Sequence, residues 1–186
     1  MRLLLLFAFP GEAKKTIPML GRSERVNGLP FKAFHVSHPS HKLTMAETGM
    51  GVGNAARVLL HLLQTDRPDA VLSFGYCGAL SPESSAGDVV WASSVCLIEG
   101  QKVETLSLPD NRELFEKLAS RFPVRVGTFI TMKEWMKKRD IVPFVVPGMM
   151  LPVCDMETFG LAQLCDSRKL PFLALRAVSD DADTDL

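Results

Sequence analysis

Residues 3–9 read Leu-Leu-Leu-Leu-Phe-Ala-Phe, seven apolar residues without a polar break. That run is too short to cross a bilayer, which takes about 20 residues. A β-strand can be apolar at every position only if both of its faces are covered. Helices are therefore expected on both sides of the sheet that holds it, and the rest of the chain alternates strand and helix patterns accordingly. Arg2 ahead of the run also fits the start of a signal peptide. However, Pro10-Gly11-Glu12 and Lys14-Lys15 stand where a small-residue cleavage site would lie. A buried first strand is the preferred reading.

Further strands are expected at 31–36, 43–47, 69–74, 89–95, 124–131 and 172–178. Helices are expected at 12–20, where Pro18 limits the run, and at 55–63 behind Asn54 as N-cap. Others are expected at 110–120, briefly at 134–139, and at 155–166, with Pro143, Pro147 and Pro152 breaking the segment between the last two. No repeat, low-complexity tract or linker interrupts the series. With 186 residues, 47% of them hydrophobic, this predicts one α/β domain that buries its own core.

Twenty-one basic residues balance 21 acidic ones, so no general electrostatic affinity for nucleic acid or an anionic membrane is expected. Cys77, Cys96, Cys154 and Cys165 have no C-x-x-C spacing, and the four histidines (35, 38, 41 and 61) show no metal-ligand spacing. Reduced, buried thiols and a cytoplasmic setting are the expectation.

Gly51-Val52-Gly53-Asn54-Ala55-Ala56 fits G-x-G-x-x-A between a strand and a helix, and its backbone N–H groups suit an anion or a polar edge. A dinucleotide fold also requires an acid at the end of the next strand, and Val71-Leu72-Ser73-Phe74-Gly75 has none. A NAD-binding domain is therefore a minor alternative. A glycine turn needed only for tight packing is another.

Five segments, in order, carry a resemblance. They are Phe7-Ala8-Phe9-Pro10-Gly11-Glu12; Thr48-Gly49-Met50-Gly51 leading into Asn54-Ala55-Ala56; Ser73-Phe74-Gly75-Tyr76-Cys77-Gly78-Ala79-Leu80 followed by Gly87-Asp88-Val89-Val90; Asp155-Met156-Glu157; and Arg176-Ala177-Val178-Ser179-Asp180-Asp181-Ala182-Asp183. Each is weak alone. Together they cover nearly the whole chain, which resembles the nucleoside phosphorylases and the methylthioadenosine/S-adenosylhomocysteine nucleosidases. The resemblance implies a curved mixed β-sheet flanked by helices, cleavage of a purine N-glycosidic bond, no metal or organic cofactor, and a homodimer or larger homo-oligomer. It also implies roles. Glu12 positions and deprotonates the attacking water, Glu157 holds the ribose hydroxyls beside Met156, and Asp180 protonates the leaving purine with Ser179 and Arg176 in support. Cys77 and Gly78 lie in the loop by the ribose, and Trp135 falls near the position that stacks on the base.

The chemistry asks for such groups. Breaking a glycosidic bond builds positive charge on the sugar and electron density on the base. An acid must neutralise the leaving group, a base must deliver the nucleophile, and something must fix the ribose. Asp181 and Asp183 beside Asp180 are expected to favour its protonated form by like-charge repulsion. Taken singly, each residue also has a plainer reading. Glu12 and Glu157 suit the first turn of a helix, Asp180 suits a strand-end turn, Trp135 suits the core, and Arg176 suits an ion pair.

The chain departs from the family's pattern in stopping at Leu186, before the usual C-terminal helix, and in a short 95–134 segment. The phosphorylases place an arginine near the end of the central strand. Residues 72–75 have none, leaving Arg22 and Arg25 as the nearest candidates for an anion. Water is therefore favoured over phosphate as nucleophile. A phosphorylase (including the hopanoid-associated type), a futalosine hydrolase and an inactive nucleoside-binding module are the alternatives.

Overall fold

The structure is a computed structural model that describes residues 1–184; the expected domain limit at Leu186 lies outside them. β1 (Arg2–Phe7) runs parallel to and between β4 (Lys42–Glu47) and β5 (Ala70–Ala79). Its two faces are both covered, as its sequence requires. Leu4 and Leu6 pack into a core with α2 (Val52–Thr65) and α5 (Thr158–Ser167), and Leu5 and Phe7 pack with Ala13, Ile17 and Leu20 of α1 (Pro10–Leu20). Each fully buried leucine contributes about 2 kcal/mol.

The sheet curls because β5 is shared. Along one edge it pairs in parallel with β10 (Phe172–Asp180), and on the other its last residues, Gly78 and Ala79, pair with β9 (Val153–Asp155). β10 also pairs with β6 (Val89–Glu99), β6 with β8 (Arg125–Met132), and β8 with β9. The path β5-β10-β6-β8-β9 therefore closes on itself, and β3 (Ala33–Ser37) and β2 (Ser23–Arg25) extend the sheet beyond β4 as antiparallel strands. This is the curved mixed α/β fold that was expected.

Several local expectations change. Asn54 is not an N-cap. α2 starts at Val52 with Gly51 as its cap, and the Asn54 amide donates to the Met50 carbonyl. β6 runs past Val95 to Glu99 and turns back as β7 (Lys102–Ser107), a hairpin that the polar alternation of 102–107 hid. A helix, α3 (Arg112–Ala119), follows within the expected 110–120. The helix expected at 134–139 is the single turn α4 (Lys138–Ile141). The one expected from residue 155 starts at Thr158, because Asp155 ends β9 and its carboxylate accepts the Thr158 N–H at 3.2 Å.

Candidate active site

Six charged side chains are buried among the described residues: Glu12, Lys138, Asp155, Glu157, Arg176 and Asp180. All six border the C-terminal half of β5, where the parallel strands β1, β5 and β10 end. Open parallel sheets bind ligands at these ends. Burying a charge costs several kcal/mol unless it is paired, so a cluster of six marks a candidate functional site.

Arg176 is the hub. It pairs with Gly75 in the β10–β5 register, and its Nη2 donates to Asp155 Oδ2 (3.1 Å), Ser73 Oγ (3.0 Å) and Thr158 Oγ1 (2.9 Å). Its guanidinium carbon lies 6.0 Å from the Phe129 ring centre, within cation–π range. Thr131 donates to the other Asp155 oxygen at 2.7 Å. The expected support from Arg176 to Asp180 is thus replaced by a brace on Asp155. This is the plainer ion-pair reading, made with a partner that carried no role in the sequence argument.

Glu12 sits in the first turn of α1. Its Oε2 accepts the Phe9 N–H at 2.9 Å, which caps the helix. Its Oε1 lies over Gly75, where a Cβ would come within 2.9 Å of it and 3.6 Å of Arg176 Nε. The capping role and the site placement therefore coexist in one carboxylate. Glu157, the N-cap residue of α5, accepts the Gly51 N–H at 2.7 Å. The glycine turn thus presents an N–H to an acid of this site. Burial, reinforced by the nearby Asp155 charge, pushes the Glu157 carboxyl up to about 7, against the opposing pull of the Gly51 N–H and Arg176.

Asp180 closes β10. A bulge between Val178 and Asp180 brings Asp180, not Ser179, opposite Gly78. The Ser179 hydroxyl stands between the Cys77 carbonyl (3.1 Å) and Asp180 Oδ1. Its single hydrogen serves one of them at a time. Donation to Cys77 leaves its lone pairs facing Oδ1, the arrangement that accepts a proton carried by Asp180. The carboxylates expected to crowd Asp180 do not do so through Asp181, whose Oδ1 accepts the Ala86 N–H at 2.8 Å. A cation stands there instead. Lys138 Nζ forms a buried ion pair with Asp180 Oδ2 and donates to the Asp180 and Asp181 carbonyls at 3.2 and 2.5 Å. Gly78 makes room for this pair. A Cβ there would meet Lys138 Cε at 2.8 Å and Asp180 Oδ2 at 3.0 Å.

The Cys77 side chain is buried, and desolvation holds its thiol well above its usual range, so it stays protonated. Met156 packs half-buried against the cluster of Ile98, Ile130 and Ile141. Trp135 is 56% exposed between β8 and α4 and is not a core residue. Sequence reasoning missed Lys138, which reads as part of a solvated Lys137-Lys138-Arg139-Asp140 charge run, and it gave Asp155 no role. A cavity of about 1070 Å3 lies elsewhere, among Arg2, His35, His38, His41, Lys42 and Asp66, and none of Glu12, Glu157 and Asp180 lines it. Among the described residues, no group of His, Cys, Asp and Glu is placed to hold a metal, and no helix is long and apolar enough to cross a membrane.

A 5'-methylthioadenosine/S-adenosylhomocysteine nucleosidase from Tolumonas auensis is 27% identical over 78% of this chain and 71% of its own length. An aminodeoxyfutalosine nucleosidase from Campylobacter jejuni is 22% identical over 98% of this chain and 86% of its own. The crystal structure of the Campylobacter jejuni 5'-methylthioadenosine/S-adenosyl homocysteine nucleosidase superposes with a TM-score of 0.86 at 20% identity, covering 100% of this chain and 88% of that one. The phosphorylase superfamily matches residues 2–186, and the chain belongs to it.

Proposed function

We propose that the protein is a purine nucleosidase that hydrolyses the N-glycosidic bond of an adenosine-like nucleoside, of the methylthioadenosine/S-adenosylhomocysteine type. The observation that carries this is the gathering of three buried acids, Glu12 beside Gly75, Asp180 beside Gly78 and Glu157 on the glycine turn, around the ends of the parallel strands. As the C1′–N9 bond breaks, its electron pair passes to the purine, and Asp180 gives its proton to the base. Glu12 takes a proton from water, whose oxygen bonds to C1′. Glu157 exchanges the Gly51 N–H for the ribose hydroxyls, with Met156 beside the sugar and Trp135 available to stack on the base.

Both buried cations, Arg176 and Lys138, are engaged with acids, which favours water over phosphate, since a phosphate needs several converging donors. The reading includes a cytoplasmic homodimer. Four buried free thiols support the first part, and exposed Phe9, Met50, Tyr76 and Trp135 support the second.

The test is base release from methylthioadenosine, S-adenosylhomocysteine, adenosine, inosine, futalosine and aminodeoxyfutalosine, with and without phosphate, in wild type and Asp180→Asn. Phosphate-independent release that falls about 100-fold or more in the variant supports the reading. Release only with phosphate turns it into a phosphorylase, and no release from a folded protein leaves a binding module.

A further inference from the structure

Lys138 is a buried charge that neither the family resemblance nor the proposed mechanism uses. Its side chain is 8% exposed, as is that of Asp180. A lysine is rarely buried without a specific partner, and this one comes from a single helical turn to reach the end of a strand 42 residues on. Among the described residues its ammonium group faces Asp180 Oδ2, the Asp180 carbonyl and the Asp181 carbonyl. Two of these are backbone atoms at the end of β10, so the lysine fixes the strand end as well as the carboxyl. Ser179 holds the other carboxyl oxygen. Gly78 is the third element of the arrangement, because any side chain there would enter the Lys138–Asp180 contact.

We infer that Lys138 is a positioning residue for leaving-group protonation, acting through Asp180. The inference rests on the nucleosidase reading, in which Asp180 serves the departing base. Held between Ser179 and Lys138, the carboxyl cannot rotate away from the base, and the end of β10 cannot drift from β5. A misplacement of about 1 Å costs on the order of 100-fold in rate. The expected effect is on leaving-group protonation, because these contacts reach Asp180 and the strand end that carries it.

The experiment compares wild type, Lys138→Met and Lys138→Arg on methylthioadenosine and on p-nitrophenyl β-D-ribofuranoside, whose phenolate departs without a proton. Lys138→Met is expected to lower kcat on the purine nucleoside about 10- to 100-fold, with KM and p-nitrophenolate release each within about threefold of wild type. Lys138→Arg should recover part of the loss. Equal losses on both substrates, or none on either, would overturn the inference. Because Lys138→Met leaves the Asp180 carboxyl buried without its cation, Asp180→Asn/Lys138→Met is measured against Asp180→Asn. If Lys138 acts through Asp180, the double variant is no slower than the single; a further tenfold loss overturns the role. A wild type inert on every purine nucleoside removes the nucleosidase reading itself. Normal wild-type turnover with an indifferent Lys138→Met removes only the role of Lys138.

Discussion

Arg176 and Asp155 meet at 3.1 Å with side chains 2% and 1% exposed. The contact joins β10 to the end of β9, and its remaining hydrogen bonds reach Ser73 on β5, Thr131 on β8 and Thr158 on α5. A buried ion pair adds little net stability by itself, because desolvation offsets the attraction. This pair does something else. It ties β10, which ends in Asp180, to the junction of β9 and α5, where Glu157 stands.

Removing one partner strands a charge in the core. Asp155→Asn and Arg176→Met are each expected to destabilise the fold by about 3–5 kcal/mol. The double variant Asp155→Asn/Arg176→Met should be less destabilised than the sum of the singles, since it leaves no orphan charge. Urea unfolding of the four proteins decides this. Single variants within about 1 kcal/mol of wild type would show that neither partner is left as an uncompensated buried charge.

The central strands were legible because burial on two faces leaves an unmistakable mark, whereas β2, β7 and β9 were not. Residues 3–9 announced β1, and 172–178 announced β10 up to its last two residues. The three acids were legible through the family's motifs, not through any property of a lone glutamate or aspartate. Lys138 was not legible, since burial of a lysine depends on what the chain brings to it from 42 residues away. Asp155 was hidden for a related reason. Periodicity reads 155–166 as one helix, whereas the carboxylate of Asp155 draws its own backbone into β9 and caps the helix that follows. The β6–β7 hairpin escaped because β7 is mostly exposed and so lacks an apolar face.

Gly78→Ala tests the space beside Asp180. The new methyl group would stand 2.8 Å from Lys138 Cε and 3.0 Å from Asp180 Oδ2, and both side chains must shift to admit it. Turnover of the purine nucleoside is expected to drop about 100-fold. Stability should fall by only about 1–3 kcal/mol, as for other overpacked sites. Steady-state kinetics together with a thermal melt separate the two effects. Full activity in the alanine variant would mean that the acid tolerates displacement.

Gly51→Ala tests the turn. Gly51 has φ +99°, a conformation that side-chain-bearing residues rarely adopt, while its N–H holds Glu157. The strain should cost about 1–3 kcal/mol and loosen the Glu157 carboxylate. A raised KM for the nucleoside, larger than any change in kcat, is the expected kinetic signature, because Glu157 is assigned to the ribose. An unchanged KM would detach the turn from ribose binding.

Glu157 also sets a pH dependence of stability. Burial and the Asp155 charge raise its carboxyl from 4.5 to about 7 in the folded protein. Between those values the folded chain keeps a proton that the unfolded chain has lost, so the native state binds more protons and stability declines as pH rises. The contribution is complete below about pH 4.5 and gone above about pH 7, and it amounts to at most about 3 kcal/mol. In a chain of this size that corresponds to roughly 5–10 °C in Tm. Other groups titrate over the same range, so the quantity to measure is the difference between wild type and Glu157→Gln from pH 4.5 to 7.5. Glutamine has no proton to lose, and its melting curve should fall less steeply with pH. Parallel pH profiles for the two proteins would show that Glu157 ionises as readily in the folded state as in water, and that its bond to Gly51, not its burial, governs its charge.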